Sequence, residues 1–295
     1  MPFSIADHPQ VRQIIDIALA EDLPYGDITT DSVLKGTEFA EAVFRAKADG
    51  VLAGLEVARA VLHRVDPGLG FEAAREDGDH VEEGMALAQV AGSAASILKA
   101  ERLALNFLQH LSGVATETWE MVKLTAHTAA RIVDTRKTTP GLRALEKHAV
   151  RVGGGANHRF GLSDGVLIKD NHIEAVGTLK EAVARAREAA PHLTKIEVEC
   201  ASLDQVREAL DAEADAILLD NMEPIMLSRA VEVVGGAAIT EASGNITRAT
   251  IKRVAETGVD LISSGAITHS APALDISLKF EDPNPPTERR LQRIR

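Results

Sequence analysis

The chain has one cysteine, one tryptophan and one tyrosine among its 295 residues, and aromatic side chains make up only 3% of it. A lone cysteine, Cys200, excludes an intramolecular disulfide and a cysteine-based zinc cage. It closes an apolar segment, so a buried spectator is expected rather than a nucleophile, and a reducing cytoplasm is the natural setting. So few aromatics leave little for single-stranded bases to stack on. Basic residues are in the minority, 32 Lys and Arg against 44 Asp and Glu, and a net charge of −12 argues against a nucleic-acid binder. No apolar run approaches the roughly 18 residues of a membrane span. The opening residues MPFSIADHPQVRQ lack the basic-then-apolar pattern of a secretory leader. What is present, 45% hydrophobic and 26% charged residues, suits a globular protein with a sizeable core.

The length accommodates one barrel of roughly 200 residues plus a smaller domain. Residues 10–20 show helical spacing, FAEAVFRAKADG reads as a strand into a turn, and LEVARAVLHRV as an amphipathic helix. EDGDHVEEGMALAQVAG reads as short strands punctuated by Gly78, Gly84 and Gly92. A long helix is expected from near Ser96 past Leu111, apolar over much of its surface and therefore largely buried. Beyond it, short aliphatic runs alternate with helical stretches: RIVDT, VLIKD, KIEVEC, DAILLD, AAITEAS and VDLISSG, with EAVGTLKEAVARAREAA, SLDQVREAL and ITRATIKRVAETG between. Strands alternating with helices imply a parallel sheet whose site lies at the carboxyl ends of the strands. That periodicity fits a β/α barrel and an open doubly wound sheet alike.

Charge is unevenly spread. Residues 131–172 hold eight Lys and Arg against four Asp and Glu, a local +4 that leaves −16 for the rest of the chain. Arg136 and Lys137 follow one strand, His158 and Arg159 follow the glycines 153–155, and Lys169 lies near the end of the next strand. Cations at successive strand ends repel one another unless an anion neutralises them, and Arg suits bidentate recognition of carboxylate or phosphate. The competing reading, in which each cation pairs with a surface acid, is weak for a whole cluster. Glu197 and Glu199 lie two apart on a strand and face one side, and Asp220 closes the next strand. Such carboxylates suit a divalent metal such as Mg²⁺, stabilisation of positive charge on a sugar carbon, or pairing with Lys137 or Lys169. SGNIT and SSGAITHS follow consecutive strands and read as phosphate cradles, built by Ser243, Gly244 and Asn245 and by Ser264, Gly265 and Ala266.

The run DTRKTTPGLRALEKHAVRVGGGANHRFGLSDGVLIKDNHI closely resembles the signature of the quinolinate phosphoribosyltransferase family. EDLPYGDITT, ERLALNFLQHLSGVAT, ILLDNM, EASGNIT and GVDLISSGAITHS extend the likeness from residue 21 to about 280. One departure is His148, where the family's KYAV segment has tyrosine; it is expected to affect packing more than chemistry. The resemblance implies an α/β fold: an N-terminal α/β sandwich over 1–115, joined by a C-terminal return over 271–295, and an incomplete, open β/α barrel over 116–270. It implies transfer of phosphoribosyl from phosphoribosyl pyrophosphate to quinolinate, with Mg²⁺, giving nicotinate mononucleotide, pyrophosphate and carbon dioxide. Arg136, His158, Arg159 and Lys169 would then hold the two quinolinate carboxylates, with Thr135 beside them. Arg102 would join from the neighbouring subunit of a homodimer, the smallest of the possible homo-oligomers. Lys137 would reach the phosphoribosyl pyrophosphate, Glu199 and Asp220 would face the ribose and metal, and the two Ser-Gly loops would take the 5′-phosphate.

Two rivals are separable. Nicotinate phosphoribosyltransferase shares the architecture, but its substrate has one carboxylate and needs fewer cations. A biotinyl or lipoyl carrier has strands like EDGDHVEEGMALAQVAG, yet needs a lysine in the hairpin turn, and none occurs between Lys47 and Lys99.

Overall fold

The computed structural model describes residues 4–281; the Pro-rich and Arg-rich stretch 282–295, expected as a solvated tail, lies outside the described residues. The chain divides into two compact units. The first comprises Met1–Thr116, Ala144–Val152 and Pro272–Arg295, and the second Glu117–Arg143 and Gly153–Ala271.

In chain order, the first stretch forms α1 (Pro9–Asp22), α2 (Ile28–Val33), β1 (Phe39–Ala46), β2 (Gly50–Val51), α3 (Leu55–Val65), β3 (Gly70–Ala73), β4 (His80–Val81), β5 (Ala86–Ser93) and α4 (Ala94–Thr125). Local chemistry fixes several boundaries. Asp27 caps α2 by accepting from the N–H groups of Thr29 and Thr30 at 3.0 and 3.1 Å. Asp77 does the same for α3 from a distance in sequence, accepting from Gly54 N and Leu55 N at 2.9 and 3.0 Å. His148, the departure from the family pattern, sets its Nε2 3.3 Å from Asp77 Oδ2, so it joins the capping of α3. β1 pairs antiparallel with β5, and β5 with β3. Phe44, Leu52, Leu62, Leu87, Ile97 and Leu108 are fully buried, so both sheet and helices supply this core.

The chain then forms β6 (Arg131–Val133), α5 (Arg143–Val152), β7 (Val166–Ile168), α6 (Asp170–Val176), α7 (Leu179–Ala189), β8 (Ile196–Cys200), α8 (Leu203–Asp211), β9 (Ala216–Asp220), α9 (Pro224–Val234), β10 (Ile239–Ser243), α10 (Ile251–Ala255), β11 (Leu261–Ser263) and α11 (Ala266–His269). Finally β12 (Ile276–Phe280) pairs antiparallel with β1, giving the order β12-β1-β5-β3. The second unit is a parallel sheet in the order β6-β11-β10-β9-β8-β7. Its chain order matches a barrel, but β6 and β7 do not pair. In their place Ala156 makes a single parallel bridge to Val133, exchanging hydrogen bonds with Ile132 O and Asp134 N at 2.8 and 3.2 Å. The barrel is open at that seam.

Two expected helices differ. EAVGTLKEAVARAREAA divides into α6 and α7, because Gly177 adopts φ +111° and Thr178 starts a new cap by accepting from Glu181 N. ITRATIKRVAETG keeps only Ile251–Ala255 as helix. No helix among the described residues is long and apolar enough to cross a membrane.

Candidate active site

The cations gather at the carboxyl ends of the second unit's strands. Asp134, which directly follows β6, is fully buried and accepts from Asn157 Nδ2 at 2.6 Å and His158 N at 2.9 Å. It thereby ties the post-glycine loop to the β6 loop. Arg143 ties them again: Nε donates to Thr138 Oγ1 at 3.0 Å, and the other nitrogens to the carbonyls of Phe160 and Arg136 at 3.2 and 3.4 Å. Arg136 and Lys137 are left exposed. The Lys137 N–H donates to Thr135 Oγ1 at 2.9 Å, and its carbonyl accepts from Thr268 Oγ1 at 2.8 Å. The Lys137 side chain lies over Gly265, where an added Cβ would meet Lys137 Cδ at 3.0 Å.

Arg159 is held by one hydrogen bond from a terminal nitrogen to Gly165 O at 2.8 Å, while its buried Nε has no partner. Burial first, and the neighbouring Arg136 charge second, pull its guanidinium below the usual arginine range. An anion beside Arg136 and Arg159 relieves both costs. His158 sits beneath them. Its Nδ1 accepts from Arg159 N at 2.8 Å, so the ring proton is on Nε2, which donates to Glu197 Oε2 at 3.0 Å. Both ring nitrogens are therefore engaged within the fold, and His158 supports Arg159.

Glu197 and Glu199 do share a side of β8, at different depths. Glu197 is buried against His158, while Glu199, nearer solvent, forms an ion pair with Lys169. Asp220 accepts from its neighbour Asn221 Nδ2 at 2.8 Å. Asn221, with φ +53°, also accepts from Asn245 Nδ2 at 3.1 Å and donates its N–H to Ser243 O at 2.9 Å. It thus locks the Asp220 loop to Ser243, Gly244 and Asn245. In the loop after β11 the Ser264 hydroxyl donates to Ile246 O at 3.2 Å and its N–H to Val133 O at 3.1 Å. Ser264 frames that loop from within, and the N–H groups of Gly265 and Ala266 open α11. Arg248 pins the loop after β10 to α4 through a two-pronged pair with Glu117.

Glu241 on β10 carries no signal in the sequence as a lone acid in an apolar strand, yet it is 1% exposed beside Glu197 and 3.7 Å from His158 Nε2. Burial first, then the Glu197 charge, push its carboxyl up to about 7. His158, Glu197 and Glu241 lie close enough to hold a metal ion, with donor atoms within 4.8 Å of one another. The proton on His158 Nε2 occupies the lone pair a metal would need, so the trio fits a hydrogen-bonded relay instead. Arg102 lies in the other unit, exposed on α4, with no ion pair among the described residues.

The sequence aligns with known proteins over nearly its whole length. The profile described as "Quinolinate phosphoribosyl transferase, N-terminal domain" matches residues 27–112, and that of the C-terminal domain matches residues 114–279. A Bacillus subtilis protein named probable nicotinate-nucleotide pyrophosphorylase [carboxylating] is 43% identical over 92% of this chain and 94% of its own length. The chloroplastic protein of that name from Arabidopsis thaliana is also 43% identical, over 93% of this chain and 84% of its own. The crystal structure of NadC from Streptococcus pyogenes superposes with a TM-score of 0.88 at 43% identity, covering 92% of this chain and 98% of that one. With both of its domain profiles matched and the cation-lined strand ends in place, the chain belongs to the quinolinate phosphoribosyl transferase family.

Proposed function

We propose that the chain transfers the phosphoribosyl group of phosphoribosyl pyrophosphate to quinolinate, releasing pyrophosphate and carbon dioxide and giving nicotinate mononucleotide. The observation that carries this reading is the pair Arg136 and Arg159, two like charges held side by side with one guanidinium nitrogen buried and unpartnered. A diacid on a pyridine ring matches them, with Lys169 and Arg102 as further cations. Nicotinate, with one carboxylate, would leave part of that charge uncompensated.

In the reaction the pyridine nitrogen bonds to the ribose C1, and the C1–O bond breaks with its electron pair leaving on pyrophosphate. The carboxylate next to the nitrogen departs as carbon dioxide, and a proton takes its place on the ring. Positioning two anions against their repulsion supplies much of the rate. Thr135 and Lys137 stand at the sugar-phosphate side, Lys137 lying over the cradle of Gly265 and Ala266. Ser243, Gly244 and Asn245 form the other cradle, with Ser264 framing from within. Glu199 and Asp220 face the sugar carbon, where positive charge develops as pyrophosphate leaves.

Mg²⁺ fits the donor chemistry of this mouth, since Glu199 and Asp220 offer hard carboxylate oxygens. They would hold it together with oxygens of the donor, and it would offset charge on the leaving group. A cation at Glu199 competes with Lys169, its present partner.

A homodimer with shared sites completes the reading. In the first unit Tyr25, Ile28, Val33 and Phe39 are 70–100% exposed, an apolar surface suited to a second copy. Arg102, without an ion pair on the same unit among the described residues, would complete the partner's site. A cytoplasmic location accords with Cys200, free and buried.

Purified protein with phosphoribosyl pyrophosphate and Mg²⁺ is offered quinolinate or nicotinate. Nucleotide and carbon dioxide form from quinolinate; nucleotide from nicotinate alone would select the rival transferase.

A further inference from the structure

Glu241 has no place in the reaction as derived, and its position is expensive. It sits at the centre of β10, in register with Leu218 of β9 and Leu261 of β11. Its neighbour Thr240 points the other way and is satisfied by Asp260 at 2.7 Å. Glu241 points inward, almost fully buried, and its Oε1 has no partner. A buried carboxylate oxygen without a partner costs free energy that an apolar side chain would not.

What Glu241 touches explains the cost. Its carboxyl lies against that of Glu197, the donor atoms of Glu241, Glu197 and His158 all falling within 4.8 Å of one another, and Glu197 accepts from His158 Nε2 at 3.0 Å. His158 Nδ1 in turn accepts from Arg159 N at 2.8 Å. The groups facing Glu241 are thus Glu197, His158 and the Ser263 hydroxyl. A continuous line of polar contacts runs from the buried strand β10 to the backbone of Arg159. Each link fixes the next: Glu241 beside Glu197 keeps its Oε2 under His158, and that oxygen keeps the ring proton on Nε2. Only then is Nδ1 bare to receive the Arg159 N–H.

We propose that Glu241 is a positioning residue that, through Glu197 and His158, holds Arg159 in the orientation that receives a substrate carboxylate. It rests on the reading above for the identity of that carboxylate, but not for the relay itself.

Two variants test it. Glu241→Leu fills the space without a donor or acceptor. Glu241→Gln keeps the shape and an N–H for Glu197 but cannot ionise. In the free protein, ¹⁵N–¹H correlation of the His158 ring, assigned with His158→Gln, reads the tautomer without any substrate. The unaltered protein gives the Nε2–H form, Glu241→Leu loses it, and Glu241→Gln restores it. In turnover, Glu241→Leu raises KM for quinolinate tenfold or more, with kcat and KM for phosphoribosyl pyrophosphate within threefold, and Glu241→Gln recovers most of that loss. An Nδ1–H ring in the unaltered protein overturns the relay even if Glu241→Leu fails to fold. A folded Glu241→Leu with the unaltered ring signature, or with both KM values raised alike, overturns it too. If quinolinate is no substrate, the ring measurement still decides the relay, and the function proposal alone falls.

Discussion

Asn221 occupies the space that a side chain on Gly244 would need. A Cβ there would meet Asn221 Oδ1 at 2.2 Å, its Cγ at 2.6 Å and its N at 3.0 Å, and Gly244 has φ +100°. Gly244→Ala is expected to separate the loops after β9 and β10, costing about 1–3 kcal/mol of stability. Affinity for phosphoribosyl pyrophosphate, measured by calorimetric titration, should fall tenfold or more. Gly36→Ala is the comparison, since Gly36 has φ +80° with nothing within 4 Å of its added Cβ. Equal loss of stability in the two variants would assign the cost to backbone conformation alone.

Glu199→Ala and Asp220→Ala should each lower kcat by about 100-fold or more while KM for both substrates stays within threefold, because charge at the sugar carbon exists only in the transition state. Steady-state kinetics with both substrates varied checks this. Unaltered kcat in both variants removes the assignment.

Arg102 calls for a test in trans. Arg102→Ala and Lys169→Ala proteins should each have under about 1% of normal activity, as loss of a bidentate or buried ionic contact costs several kcal/mol. Co-expressed, they should form mixed dimers in which one site has both residues intact, recovering about a quarter of normal activity if chains mix at random. Background activity in verified mixed dimers would place Arg102 in its own chain's site or outside any.

Cys200 is expected to be inert. Burial first, then the charges of Glu208 and Glu199, push its thiol up to about 12. An aromatic disulfide reagent at pH 8 should label it at least ~100-fold more slowly in the native protein than in guanidinium. Rapid native labelling would contradict its burial.

Glu241 links stability to pH with a definite sign. Its carboxyl titrates at 4.5 in the absence of the fold and at about 7 within it, so the folded chain binds the proton more tightly. The stabilising contribution is complete below 4.5 and is lost as pH rises through 7. Glu241→Gln lacks this dependence. Between pH 5 and pH 8 the melting temperature of the variant should therefore gain on that of the unaltered protein, by about 3 °C or more. A constant difference across that range would show that Glu241 does not change protonation there.

Much of this was legible in the residues. Leu55–Val65 is the helix that LEVARAVLHRV predicts, and each of the six aliphatic runs after α4 contains a strand. Those runs are fixed by side chains that neighbour one another in sequence. The merged α6 and α7 show the limit, since helical spacing continues across Gly177 while the backbone turns there. The site divides in the same way. Arg136, Lys137, Arg159 and Lys169 announce themselves as a basic island, Asp220 ends its strand and Glu199 stands next to the end of its own. Glu241 and Asn221 could not be singled out, because their roles depend on partners 44 and 24 residues away, brought near only by strand register. His158 was visible as a candidate, but which way its ring is wired depends on a backbone N–H that no spacing reports.

The sheet order β12-β1-β5-β3 also governs when this protein can become itself. Arg45 and Glu281, paired at 3.0 Å, are 236 positions apart in sequence. During synthesis β1 emerges early and waits, one edge unsatisfied, through the whole of the second unit's translation before β12 arrives to pair with it. Such distant closure is slow and leaves a sticky strand edge open in the meantime. A chain stopped short of Ile276 therefore lacks the strand that covers that edge of β1.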